Sequence, residues 1–180
     1  MKNLVFHNVK NYDKLVKIMI IGEKEVGKTL FLNKIINKNF INEKYSSTEF
    51  LNIKKINTVI NNQNIKLEFW DSNVNFLNSI LINIYYKIAN CFIIIVNEKS
   101  NFNFIEKQVS EIQSVNKTEN IFFIFNCNLK ENENINSLEN EENFKKLCND
   151  YYISFHRINL TEISLNNRDF SLFLESMILK

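Results

Sequence analysis

The chain has 180 residues, 45% of them hydrophobic, and its 22 basic and 20 acidic side chains leave a formal charge of +2. That length supports one domain with a sizeable core, while so mild a charge, without any block of Lys and Arg over five residues, gives no ground for a nucleic-acid partner. No apolar run approaches the roughly 18 residues of a membrane-spanning helix, and Cys91, Cys127 and Cys148 are too few and too scattered for a disulfide framework or a zinc site.

Residues 1–13 contain no uninterrupted apolar segment of a signal peptide, and Lys2 stands where myristoylation needs glycine. A flexible N-terminal extension, a single domain over 1–180 and a cytoplasmic protein are expected. The first strand is predicted at Leu15–Ile21. It runs into Gly22-Glu-Lys-Glu-Val-Gly27-Lys28-Thr29, and both glycines of the chain lie in this stretch. A G-x-x-x-x-G-K-[ST] stretch between a strand and a helix, here Lys28–Lys38, is built for phosphate. Its glycines let backbone N–H groups turn inward, the lysine reaches the β- and γ-phosphates, and the Thr29 hydroxyl can ligate Mg²⁺.

Strands at Leu51–Ile60 and Ile65–Asp71 are separated only by NNQN at 61–64, which suits a hairpin. Asp71, at the end of the second, supplies the carboxylate that a phosphate loop needs near its metal, and Thr48 in the preceding polar loop offers a second hydroxyl. A helix is predicted over Phe76–Ala89, a strand at Cys91–Asn97, a helix at Asn103–Lys117 and a strand at Ile121–Asn126. The polar stretch 130–143 reads as a surface loop entering a helix at Ser137–Asn149. A last strand at Ile153–Ile158 precedes a helix at Asn167–Lys180 with Phe170, Phe173, Leu174, Met177 and Ile178 on one face. Unbroken runs such as CFIIIV and IFFIF are typical of parallel strands buried on both faces. The order predicts βαβ units and a mostly parallel sheet with one antiparallel edge strand.

These motifs together resemble the Ras superfamily of small GTPases, its Rab branch in particular. GEKEVGKT is similar to the phosphate loop, YSST at 45–48 to the end of the first switch, KLEFWD at 66–71 to the Rab strand entering the second switch, and YYKIA at 85–89 to a Rab Tyr-Tyr-Arg-Gly-Ala element. The resemblance runs from Leu15 to Met177, gapless from Thr48 to Tyr86, with one extra residue between Lys28 and Thr48. It implies a three-layer α/β/α P-loop NTPase fold with a six-stranded sheet and about five helices. It also implies GTP or GDP with Mg²⁺. Gly22, Lys24, Glu25, Val26, Gly27, Lys28, Thr29 and Leu30 would surround the phosphates, and Thr29, Thr48 and Asp71 the metal. Asn126, Cys127 and Asn128, with Asn159, Leu160 and Thr161, would lie around the base. Effectors or regulators would engage Thr48–Phe50, Trp70 and Tyr85–Tyr86, in vesicle or membrane traffic, with the chain itself a monomer.

The departures from the family concern turnover and base recognition. After Asp71 the family continues Thr-Ala-Gly-Gln, whereas this chain reads Ser72-Asn73-Val74-Asn75. Val74 replaces the glycine that meets the γ-phosphate, and Asn75, one methylene shorter, replaces the water-orienting glutamine. Impaired hydrolysis follows. The family's Asn-Lys-x-Asp becomes Asn126-Cys127-Asn128-Leu129, with either Asn128 or Leu129 in the place of the Asp, depending on the gap. The chain ends FLESMILK with Cys148 far upstream, so a lipid anchor of its own is not expected and membranes would be reached through partners. Two functions compete: a slow, partner-assisted GTPase switch, and a non-hydrolysing interaction module. Trp70 could be a partner-binding aromatic or core. His7 and His156 are expected at the surface or a sheet edge.

Overall fold

The computed structural model describes residues 12–36, 51–60, 62–78, 80–116, 120–127 and 135–162. Among these are six strands, β1 (Lys14–Ile21), β2 (Leu51–Ile60), β3 (Gln63–Ser72), β4 (Cys91–Val96), β5 (Ile121–Asn126) and β6 (Ser154–Ile158). Five helices accompany them: α1 (Lys28–Ile36), α2 (Val74–Leu77), α3 (Ile82–Ile88), α4 (Phe102–Val115) and α5 (Ile135–Asp150). The strands form one sheet in the order β2-β3-β1-β4-β5-β6. Every neighbouring pair is parallel except β2 and β3. The expected α/β sheet with one antiparallel edge strand is observed. The β2–β3 ladder closes on the pair Ile60 and Gln63, and Asn62 turns the corner with φ +64°, a conformation that Asn tolerates better than most residues.

Alternation along the strands sorts the core into two faces. Ile18 and Ile20 of β1, Leu67 and Phe69 of β3, and Ile93 and Ile95 of β4 meet Phe31, Leu32 and Ile35 of α1. Met19 and Ile21, Trp70, and Phe92 and Ile94 face the other way, against Tyr86 of α3, Ile105, Val109 and Ile112 of α4, and Phe144 and Leu147 of α5. Strands β4 and β5 are buried on both faces along nearly their whole length, which is why their sequence carries no polar alternation. Each fully buried Ile or Leu contributes about 1.5–3 kcal/mol. The expected helix at 167–180 lies outside the described residues, as does the stretch 1–11.

One expected element is corrected. The helix predicted over Phe76–Ala89 is two helices, α2 and α3, with Asn78 as the C-cap of the first and Leu81 as the N-cap of the second. A continuous helix would carry the stripe of buried Leu77 on to Leu81, Ile84 and Ile88. Those three are exposed, whereas Ile82 and Tyr86 are buried. The break resets the register by one residue and exchanges an aliphatic stripe for Tyr86. Asn78, whose short polar side chain competes with helical backbone bonds, stands at the break.

The chain runs from β1 out to edge strand β2, returns as β3 beside β1, and then crosses to β4 on the other side, so the sheet reverses direction at β1. In such sheets the ligand crevice lies at the carboxyl ends of the strands, at this reversal. The loop at 22–27, Asp71, and Asn126 all emerge there.

Candidate phosphate-binding site

Gly22 leaves β1 with φ +151° and Gly27 enters α1 with φ +106°. A Cβ built on Gly22 would stand 2.2 Å from the Ile95 carbonyl oxygen, and one on Gly27 would stand 2.9 Å from both Asn126 Nδ2 and Leu160 Cδ1. Both glycines of the sequence are thus required twice over, by backbone conformation and by close approach. The Gly27 carbonyl accepts the first helical bond, from Phe31 N–H at 2.8 Å. The N–H groups of the first turn of α1 therefore point into the loop, as in any helix start, and favour an anion.

Lys28 is buried, and its Nζ donates to the carbonyls of Gly22 at 2.8 Å and Glu23 at 2.6 Å. Burial lowers its pKa, against which the charges of Asp71 and Glu23 act. The Thr29 hydroxyl donates to Asp71 Oδ2 at 3.0 Å. The parallel register that pairs Ile20 with Asp71 brings the carboxylate level with the end of β1, and Asp71 is fully buried. Ser72, next in the chain, donates from its hydroxyl to the Ile20 carbonyl at 2.7 Å and locks the ends of β1 and β3 together.

Asn126 connects three segments. Its Nδ2 donates to the Val26 carbonyl at 3.0 Å, and its Oδ1 accepts the Leu160 N–H at 3.0 Å. Cys127 is buried, with its backbone N–H on the Ile158 carbonyl at 3.0 Å. Asn159 closes its own turn, since its Oδ1 accepts from both the N–H and the hydroxyl of Thr161. Leu160 is buried against the loop, and Val26 and Leu30 pack into the same core cluster.

The expected loop residues, Asp71, Asn126 and the 159–161 turn are therefore brought together. Lys24 and Glu25 are exposed and only 3.8 Å apart as an ion pair, with Glu25 at φ +66°. Val74 and Asn75 are in α2, which Asn73 caps by accepting Phe76 N–H at 2.8 Å. Thr48–Phe50, Asn128 and His7 lie outside the described residues. His156 is on edge strand β6, where burial lowers its pKa. Of the two alternatives for Trp70 the core is observed, and the partner-facing expectation for Tyr86 is corrected. Trp70 and Tyr86 are core residues, 3% and 0% exposed, because β3 and the reset register of α3 turn them inward. Of the two tyrosines only Tyr85 is half-exposed, with its ring edge-on to Trp70 at 5.4 Å.

Two residues that contribute here were not expected from the sequence. Ser72 could have been found from its place after Asp71. Glu23, whose carboxylate accepts Asn101 N–H at 2.6 Å, has its partner far along the chain, where no local pattern reveals it.

The family model described as "Ras of Complex, Roc, domain of DAPkinase" matches residues 17–128. The chain is 31% identical to the Ras-related protein RabY of Dictyostelium discoideum over 109 residues, 57% of this chain and 45% of that one. It is 29% identical to Rab-11B of the same organism over 160 residues, 87% of this chain and 70% of that one. Against human Rab-3A the identity is 32% over 108 residues, 58% of this chain and 48% of that one. The chain spans about half the length of RabY and Rab-3A. With more than half of its residues matching a Ras-type domain model, and Rab proteins similar to it over much of its length, the chain belongs to the Ras superfamily of small GTPases, on its Rab-like side.

Proposed function

We propose that the chain binds Mg²⁺ with GTP or GDP at the loop 22–29 and acts as a Rab-like protein of intracellular membrane traffic, with hydrolysis slow or dependent on a partner. The observation that carries this is the convergence of buried Lys28, the Thr29 hydroxyl and the Asp71 carboxylate around a loop whose two glycines adopt positive φ where an added Cβ would crowd its neighbours. Thr29 and Asp71 offer hard oxygen donors suited to Mg²⁺, and no group of three or more metal-binding side chains competes with them among the described residues. When bound, the metal neutralises charge on the β- and γ-phosphate oxygens.

The residues of the chain would do the rest. Lys28 is held by two carbonyls as a cation pointed along the loop, so phosphate oxygens need only replace or join those acceptors. Asn126 fixes the loop from the base side. The turnover machinery is weaker. Val74 is already the first residue of a capped helix, and Asn75 is exposed on it, so neither position offers the glycine hinge or the long amide with which relatives of this superfamily complete hydrolysis. This favours a second reading, a nucleotide-bound interaction module that does not turn over. Partners would meet the surface beside Tyr85, where Ile80, Leu81, Ile84 and Ile88 are exposed.

Single-turnover hydrolysis of Mg²⁺–GTP separates the two readings. A slow rate that rises when a cell extract is fractionated into the reaction supports the switch. Bound GTP that persists through such additions supports the module.

A further inference from the structure

Helix α4 starts at a half-completed cap. Asn101 is its N-cap, and the Asn101 Oδ1 accepts Phe104 N–H at 3.0 Å. In a complete capping box the third helical residue answers with a side-chain acceptor for the N–H of the cap itself. Here that residue is Phe104, which has no acceptor, and the first turn of α4 contains no acid. The missing half comes from the phosphate loop: Glu23 Oε2 accepts Asn101 N–H at 2.6 Å, across 78 positions of sequence. A carboxylate at that point also meets the positive end of a helix 14 residues long.

The platform under this contact is itself built. Asn97 N–H donates to Ser100 Oγ at 2.9 Å and Lys99 N–H to Asn97 Oδ1 at 3.0 Å, which closes the turn ahead of Asn101. From α5, Asn140 Nδ2 donates to the carbonyls of Glu98 and Ser100, both at 3.0 Å. At the other end of the same residue, the Glu23 carbonyl accepts Lys28 Nζ at 2.6 Å. One residue thus ties α4 with its side chain and Lys28 with its backbone.

We propose that Glu23 is a positioning residue for Lys28, completing the capping box of α4 from inside the phosphate loop and so coupling nucleotide binding to the order of the first turn of α4. This rests on the reading of 22–29 as a phosphate site. The held carboxylate restrains the backbone at Glu23 and so presents its carbonyl to the lysine. The negative charge also opposes the effect of burial on the Lys28 ammonium. By linkage, whatever nucleotide binding adds to the order of the loop it must add to the first turn of α4, and loss of the cap must weaken nucleotide binding in return.

The test compares the unaltered chain with Glu23→Ala, Glu23→Gln and Lys28→Ala. Mg²⁺–GDP is titrated calorimetrically, and amide exchange is followed at Phe102–Ile105 with and without the nucleotide. Glu23→Ala should weaken binding about three- to tenfold, the range for one partly exposed charge-assisted bond, and should speed exchange at those amides. Glu23→Gln, which keeps an oxygen acceptor at the same reach, should recover most of both losses. A folded Glu23→Ala chain that binds as tightly as the unaltered one, or a Glu23→Gln chain no better than Glu23→Ala in either readout, overturns the proposal. Unweakened binding by Lys28→Ala would instead overturn the phosphate-site reading beneath it.

Discussion

At the scale of single residues the loop is tightly constrained, and its demands differ between its two glycines. At Gly22 the obstacle to a side chain is the main-chain oxygen of Ile95, whereas at Gly27 it is the ends of two side chains. Gly22→Ala should therefore destabilise the fold more than Gly27→Ala, by about 2–3 kcal/mol against about 1–2 kcal/mol, as read from urea unfolding; the reverse order would mean that β4 does not abut the loop. Lys28→Ala should abolish measurable binding of Mg²⁺–GDP in calorimetry, since it removes a buried cation that two loop carbonyls hold in place. Lys28 also makes stability depend on pH. Its folded pKa is lowered from 10.5, so between the two values the unfolded chain binds more protons and stability rises with pH. The contribution is fully present above about 10.5 and is lost as pH falls through the lowered value. In nucleotide-free protein, any stability advantage of Lys28→Met over the unaltered chain should shrink as pH is raised toward 10.5, and a constant difference in chemical unfolding would contradict it.

At the scale of elements, strands were easier to read than the segment after Asp71. Strands such as CFIIIV and IFFIF declare themselves because both of their faces are buried, and Gly22, Gly27, Lys28 and Thr29 sit at fixed spacing in one turn. The segment 74–88 misleads because its aliphatic residues fit one helical stripe, and tertiary packing chooses Tyr86 instead. Tyr86 is retained inside by a polar bond, its hydroxyl donating to Gln108 Oε1 of α4 at 2.5 Å, while Gln108 Nε2 is buried without a hydrogen bond among the described residues. Tyr86→Phe should then cost about 1–3 kcal/mol, because it leaves a second buried atom of Gln108 unpaired. Adding Gln108→Leu should restore part of that loss, and a double-mutant cycle with no coupling would show that the two helices are not joined there. Asn73→Ala should cost α2 about 1 kcal/mol through its cap and hasten exchange at the Phe76 amide.

At the scale of the whole molecule, the order of strands places the loop, Asp71 and Asn126 together at the carboxyl ends of the interior strands, and this arrangement follows from β1 standing between β3 and β4. That much was legible, since alternating strand and helix patterns leave few topologies. Contacts across long stretches of sequence were not: Glu23 with Asn101, and Asn126 with both Val26 and Leu160, join segments that carry no mutual signal. If Val74 and Asn75 limit turnover, the double change Val74→Gly, Asn75→Gln should raise single-turnover GTP hydrolysis above that of the unaltered chain, and no rise would place the limitation elsewhere. Nucleotide binding at the loop is tested by the identity of the nucleotide carried by freshly purified, unaltered protein, released by denaturation and resolved by chromatography and mass spectrometry. GDP or GTP is expected in amounts approaching that of the protein, with a loss of thermal stability when nucleotide and Mg²⁺ are stripped with a chelator. Protein that carries no guanine nucleotide, and whose melting temperature is unmoved by added Mg²⁺–GDP or Mg²⁺–GTP, would contradict it.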